Sequence, residues 1–337
     1  MSVHNVKNKL LKAVAIGGGC GAVQVLQGLR NHLTQLTGII AVTDTGRSTG
    51  KVRNLASIPA PGDIRNALGT LAGENTAFDQ LIQHRLKVPK YEPLNGVAFG
   101  NLMLAALTQM TGDFGVACDL MREMLGVSVR IMPVTTHNTH ICAELEDGTM
   151  IEQEVNVRAL GKPPIKRVFI QDRMARAYKP CLEAINEADL ITIGPGSLFT
   201  TVLACLAFDE LSEAIQTSRA TTVYVCNNTT QPGQTDGYGL HDHVSQISKY
   251  LNGRLDYVLI NSRTPSPALR AAYAKDGVQV LLPTNEEIER IENLGVKVYA
   301  RDLAQMTDAK RDLYDKQDSI RHDPEAVAKV LMELIEH

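Results

Sequence analysis

The residues with the plainest chemical signature lie near the start, in AVAIGGGCGAVQVLQGLR, residues 13–30. An apolar run enters Gly17, Gly18, Gly19, Cys20 and Gly21, and a helical pattern leaves them. Gly17, Gly19 and Ala22 satisfy the GxGxxG/A form. Glycines at such a turn let the main chain approach a phosphate, and free N–H groups at the helix start point at it. Asp44 ends the next apolar run, 22 residues beyond Ala22, the kind of spacing found in dinucleotide-binding turns. A tight strand–helix crossover without ligand is the bland alternative. The pattern speaks for phosphate more than for a nicotinamide cofactor, because a lone GxGxxG is common.

Two features point away from a dehydrogenase. Asp44 opens the polar run DTGRSTGKVR, whose Ser48, Thr49, Gly50 and Arg53 belong to a glycine-punctuated loop with three cations. Such a loop can close over a second charged or hydroxylated group. A second glycine turn follows in DLITIGPGSLFTTVLACL, residues 189–206, where Gly194, Gly196 and Ser197 leave a strand and open a helix. That is a second helix start offering amides to an anion, although Ser197 could serve simply as a cap. Two such turns at strand ends fit a cleft along the carboxyl edge of a sheet, where open α/β folds place ligands. A diphosphate or a nucleotide sugar suits that cleft.

Other polar clusters could line it. PAPGDIRNALGTLAG, residues 59–73, sets Asp63, Arg65 and Asn66 at a helix start. Asp63 is a good cap, and Arg65 could grip a phosphate with two donors. Asn101 in FGNLMLAALTQM is either an N-cap or a ligand group. After the strand ending in Cys226 come Asn227, Asn228, Thr229, Thr230 and Gln231. These amides and hydroxyls could bond a base, ribose or sugar, or form a solvated loop.

Metal and thiol chemistry find little support. The six cysteines contain no CxxC pair and read as reduced thiols, several in apolar settings. Cys20 sits at a helix start, which can lower a thiol pKa, but no paired base is near it in sequence. His241-Asp242-His243 lacks a matching ligand spacing, and Asp242 reads as a helix start. His137 and His140 fall in a predicted strand, where residues three apart point to opposite faces. No metal ligand set is read.

The elements that must position these residues recur as short apolar runs between helical patterns. KAVAI (12–16), GIIAV (38–42), DLITI (189–193), TTVYVC (221–226) and LDYVLI (255–260) suit strands of a parallel sheet covered on both faces. The alternation predicts a three-layer α/β/α Rossmann-like core with right-handed crossovers. Residues 127–169 break the rhythm with alternating patterns and an Asp147-Gly148 turn, predicting a β-rich insertion. The core thus divides into a first part, 1–126, with the glycine loop, and a second, 170–337. DPEAVAKVLMELIE forms a late helix with Asp323 as cap and Pro324 in its first turn.

At 337 residues and 44% hydrophobic, the chain can bury a sizeable core. Net charge is −3, Trp is absent and aromatics make up only 4%, which argues against nucleic-acid binding. No apolar stretch approaches the roughly 18 residues of a membrane span. The lead MSVHNVKNKLLKAV lacks a signal-type core, so a cytoplasmic location is expected.

GGGCG, DTGRSTGKVR, PGDIRNAL, GNLMLAALT, ADLITIGPGSLFTTV and NNTTQPGQTDG occur in one order. Together they resemble the bacterial gluconeogenesis-factor family, within the superfamily that includes 2-phospho-L-lactate transferase. The likeness spans nearly the whole chain. It implies a Rossmann-like core, UDP-sugar binding, and a link to growth and cell shape on gluconeogenic carbon sources. Position by position it implies that Gly17 to Gly21 cradle phosphates, that Asp44 and Ser48–Gly50 line the cleft, and that Asn227 and Gln231 face them. Tyr273 in AAYAKDG and Arg321 in IRHDP match further positions that resemble nucleotide-sugar contacts, and Arg321 suits a diphosphate. Three positions depart from the family pattern: Cys20 stands where Thr is common, Thr45 where a second aspartate is common, and Arg47 where a glycine is common. Losing one aspartate of the acidic pair weakens the case for Mg²⁺ and transfer chemistry.

Three readings follow. The first is a nucleotide-sugar-binding regulatory protein with little turnover and no required cofactor, taking a ligand such as UDP-N-acetylglucosamine. The second is a phosphotransferase using Asp44 and Mg²⁺. The third, a nicotinamide oxidoreductase, needs a general acid that the sequence does not offer. Apolar sheet edges often make dimers, so a homodimer is compatible with this fold; no protein partner is named by the sequence.

Overall fold

The structure, a computed structural model, describes residues 10–73, 76–305 and 320–335. The first nine residues of the lysine-bearing lead lie outside the described residues, and so does the side chain of Arg47. Seven strands form one parallel sheet: β1 (Lys12–Gly17), β2 (Gln35–Ile40), β3 (Arg130–Pro133), β7 (Leu190–Ile193), β8 (Thr221–Val225), β9 (Tyr257–Asn261) and β10 (Lys297–Arg301). Their order is β10-β9-β8-β7-β1-β2-β3. The burial of β1, β7, β8 and β9 is almost unbroken along each strand, because helices cover both faces. The core is therefore an α/β layered fold of the expected class.

The strand order sets the function-bearing geometry. From β1 the chain steps one way to β2 and β3, and then returns to the other side of β1 to lay down β7 and its successors. The crevice at the carboxyl ends of β1 and β7 is thus the topological switch point, where such sheets bind ligands. Ile16 pairs with Ile193 across this boundary, so the turns leaving the two strands start side by side.

The helices that matter to the cleft follow β1 and β2. They are α1 (Gly21–Leu29), α2 (Arg47–Ala56), α3 (Gly62–Ala72), α4 (Ala77–Gln83) and α5 (Phe99–Thr111), followed by α6 (Phe114–Met124) and the short α7 (Glu154–Val157). α1 buries Ala22, Val23, Val25, Leu26 and Leu29 at helical spacing. It packs against the late helix Pro324–Ile335. Asp323 accepts a 2.9 Å bond from the Ala326 amide at the start of that helix, a side-chain cap ahead of a proline.

Residues 127–169 divide between two sheets. β3 forms one edge of the main sheet, whereas β4 (Ile141–Leu145), β5 (Met150–Glu152) and β6 (Ile165–Ile170) make a second, antiparallel sheet in the order β5-β4-β6. Thr149 accepts from the Leu145 amide at 2.9 Å across the Asp147-Gly148 turn, and Gly148 takes φ 84°, which glycine adopts without penalty. One face of this sheet buries Ile141, Ala143 and Leu145 against the main core. Tyr250 clamps it, its hydroxyl bonding both the amide and the carbonyl of Val168.

The chain leaves β2 earlier than the apolar run suggests. GIIAV was expected to run to 42, but β2 ends at Ile40. The Ala41 amide still bonds the Gly17 carbonyl, and the Val42 carbonyl accepts from Ala60, so the run continues inward as a buried turn. Among the described residues no helix is long and apolar enough to cross a membrane.

Candidate functional site

The turns from β1 and β7 line one cleft. Gly18, Gly19, Cys20 and Gly21 form one wall; Pro195, Gly196, Ser197, Thr200 and Thr201 form the next. Asn227 to Thr229 and Gln231 close a third side, and Arg321 and His322 reach it from near the chain's end. The unfilled space is ≈ 990 Å³, a figure that includes open solvent at the mouth of the cleft. A second cavity adjoins it and shares Cys20, Gln24, Asp44, Asp63 and Arg321. Ser48, Thr49, Arg65, Asn66, Gln83 and Arg85 line that second lobe.

The first turn holds its shape through close main-chain contact. A Cβ at Gly21 would overlap the Pro195 carbonyl, and one at Gly19 would overlap the Asp63 carbonyl. The glycines are needed at least as much for this interlock as for approach to a ligand. Cys20 occupies the N-cap position of α1 and makes no side-chain cap bond. Its Sγ lies 2.8 Å from Nδ2 of Asn66, which also donates to the Gly19 carbonyl at 2.9 Å. α3 thereby braces the turn, while the leading amides of α1 lack a capping side chain, the usual condition for an anion site.

The second turn differs. The Gly194–Pro195 bond is cis, and Pro195 has no N–H. The Gly196 amide donates to Asn227 Oδ1 at 3.3 Å, and Asn227 Nδ2 donates back to the Gly196 carbonyl at 2.8 Å. Ser197 does not cap the following helical turn; its hydroxyl donates to Gln234 Oε1 at 3.0 Å and accepts from Thr200 at 2.8 Å. The expected row of free amides is therefore partly spent inside the protein, and Asn227 shapes the turn that holds it.

Several expected residues take other posts. Asp63 does not cap α3: Pro61 holds the N-cap position, and Asp63 lies in the first turn facing both cavities. Asn101 is fully buried inside α5, whose cap is Ala98; it accepts from Arg65 Nε at 3.4 Å and leaves its own Nδ2 without an acceptor. Arg65 is buried, and burial foremost, then the neighbouring Arg85 charge, lowers its pKa to about 10. Arg53 faces Asn138, donating to its Oδ1 at 2.7 Å, with burial pulling its pKa down against the opposing charge of Asp44. Asp44 lies beyond β2 rather than at its end, and its Oδ1 accepts from the Gly46 amide at 2.7 Å. Thr230 is buried and pairs with Gln279 through two 2.9 Å bonds. Tyr273 packs with Leu269, Val278, Ala304 and Ile320 in a small separate cluster. Gly17, Gly50 and Gly194 stand behind the walls, not on them.

Some lining groups escaped the sequence reading. Glu154 and Arg158, paired at 2.9 Å, enter from α7, and Arg85 enters the second lobe, donating to Ser48 Oγ at 2.9 Å. None carries a local motif; only the docking of the small sheet and of the α4–α5 connection brings them in. Among the described residues, four buried polar atoms on the main cleft have no partner in the structure: Asn228 Oδ1, Gln231 Oε1, Arg321 Nε and His322 Nε2. Such groups are costly unless a ligand or solvent engages them. His322 is fully buried, and burial lowers its pKa to about 4, so the imidazole on this wall is neutral near pH 7.

Residues 13–304 match the family model described as 2-phospho-L-lactate transferase CofD. A Bacillus subtilis protein named gluconeogenesis factor is 35% identical over 325 residues, covering 96% of this chain and 98% of that protein. Its namesake from Halalkalibacterium halodurans is 35% identical over 326 residues, covering 96% of this chain and 97% of its own length. A crystal structure of a Bacillus halodurans protein superposes with a TM-score of 0.87 at 34% identity, covering 96% of this chain and all of that one. By fold, by length and by sequence, the chain belongs to the gluconeogenesis-factor branch of the CofD-like family.

Proposed function

We propose that this protein binds a nucleotide sugar of the UDP-sugar type and acts in the cytoplasm as a regulatory factor, needed for growth and normal cell shape on gluconeogenic carbon sources. The observation that carries the reading is the switch-point cleft itself. An uncapped helix start, an arginine with an orphaned Nε and two amide oxygens without partners converge there. A pyrophosphate would take the α1 amides and Arg321, and a base or sugar would take Asn228 and Gln231. Among the described residues, no side chain on the main cleft pairs an obvious nucleophile with a base, which favours grip over turnover. Calorimetry with UDP-N-acetylglucosamine and UDP-glucose tests the ligand. Saturable binding to the wild type, weakened at least about tenfold by Arg321→Ala, is expected. No heat and no competition at millimolar ligand would end the reading.

A second reading rests on the adjoining lobe. Asp44 and Asp63 both line the two cavities, so a phosphotransferase would have carboxylates where Mg²⁺ is needed, with room for a second phosphorylated molecule beside the first. The divalent ion would offset charge on the transferred group. Incubation with phospho-donors and Mg²⁺ decides it: an Asp44→Asn variant that kept a measured transfer rate would remove Asp44 from that role.

A further inference from the structure

The outer face of the small sheet gathers three side chains with metal-binding atoms. His140 and Cys142 are two residues apart at the start of β4, so they share the face opposite the core-packed Ile141 and Ala143. Glu152 is the direct antiparallel partner of Cys142, which puts it on that same face. One nitrogen, one sulfur and one carboxylate oxygen of the three lie within 4.8 Å of one another. His140 Nε2 is 3.5 Å from Glu152 Oε2, and it is a buried nitrogen with no hydrogen-bond partner. The next acid along β4, Glu144, is already occupied by Lys166 and Arg167 at 2.6 and 2.7 Å.

We propose that His140, Cys142 and Glu152 bind a divalent ion of the Zn²⁺ class, and that the ion pins the β5–α7 segment that walls the main cleft. Imidazole, thiolate and a single carboxylate suit zinc with water as fourth ligand, whereas Mg²⁺ and Ca²⁺ call for oxygen donors throughout. Ligand atoms on one tetrahedral zinc at about 2.0–2.3 Å stand about 3.3–3.8 Å apart, so a shift of about 1 Å by the exposed Glu152 side chain closes the set. On binding, the Cys142 thiol gives its proton to solvent and its sulfur bonds the metal. The main chain around the site is held: the Gln171 amide donates to the His140 carbonyl and the Gln153 amide to that of Ile141, each at 2.9 Å. Glu152 is followed within two residues by Glu154, the first residue of α7, and Glu154 and Arg158 line the cleft. A metal joining β4 to Glu152 therefore restrains the lead into that wall. The inference is independent of what the cleft binds.

The full chain, stripped with chelator and titrated with Co²⁺ and Zn²⁺, tests it. One ion per chain is expected, with a thiolate-to-cobalt charge-transfer band that zinc displaces. Cys142→Ser should abolish the band and cost more than the roughly 10–100-fold typical of an outer-shell partner. His140→Gln and Glu152→Gln should each weaken binding, and Glu146→Gln, on the same hairpin, should not. Circular dichroism of each variant separates loss of the site from loss of fold. A cobalt complex without the band, or wild-type affinity in Cys142→Ser, would overturn the site. Zinc should slow amide exchange across residues 150–158; binding without that slowing would overturn the pinning.

Discussion

The two glycine turns leave neighbouring strands and border one cleft, but they are built to opposite ends. The β1 turn runs into α1 with no capping side chain and is braced from behind by Asn66. The β7 turn contains a proline without an N–H, and its Gly196 amide is bonded by Asn227. One helix start has no capping side chain, and the other turn is tied to Asn227. Glycine-rich crossovers should therefore not be counted as anion sites one for one: each amide has to be followed to its acceptor first.

The sharpest way to break this contrast is where the turns touch. Gly21→Ala drives a Cβ into the Pro195 carbonyl, and the main chain there cannot swing aside as a side chain would. A loss of about 3 kcal/mol or more in urea-unfolding stability is expected. A change below about 1 kcal/mol would mean that the turns do not interlock.

Next in size is a pH effect on the opposite wall. Burial holds His322 at about 4 against an ordinary value of 6.5, so the unfolded chain takes up the proton first. The stabilisation is complete above the unfolded value and is lost as pH falls through the window from 6.5 toward 4, up to about 3 kcal/mol in the limit. Stability measured across that window in the wild type and in His322→Gln should diverge, with the variant flatter. Parallel curves would remove the buried imidazole from the account.

Asn227→Ala should cost about 2 kcal/mol, since it removes two hydrogen bonds from a buried turn and leaves the Gly196 groups unpaired. If the β7 turn presented its amide to ligand instead, the same variant would leave stability unchanged and tighten anion binding. The smallest effect is assigned to Ser197→Ala, about 1 kcal/mol, because Ser197 is only half-buried and its loss leaves the Gly196 main-chain groups paired with Asn227. A loss larger than that of Asn227→Ala would reverse the ranking of the two residues in holding the turn.

Much of the sheet was legible in advance for a simple reason. Strands covered on both faces read as continuous apolar runs, and KAVAI, DLITI and TTVYVC appear as β1, β7 and β8 within a residue of their expected limits. GIIAV misled by two residues because a buried turn needs the same apolar side chains as a strand. The caps were less legible. Asp63 and Asn101 have the residue types of N-caps, but Pro61 and Ala98 take those positions, since cap geometry depends on how the preceding loop arrives. Tyr273 and Thr230 sit in motif-like text but serve packing and pairing.

By itself the sequence determined the alternation of buried strands and helices, the glycine-rich turns that leave two of the strands, and the absence of a paired zinc motif, because these depend on local periodicity and residue type. The tertiary structure alone decided that β7 lies beside β1, that Asn227 consumes an amide of the second turn, and that Arg321, Glu154 and Arg158 share the cleft. It also decided that Glu152 faces Cys142. Strand order and register are set by how whole elements bury their surfaces against one another, and no short stretch of chain carries that information.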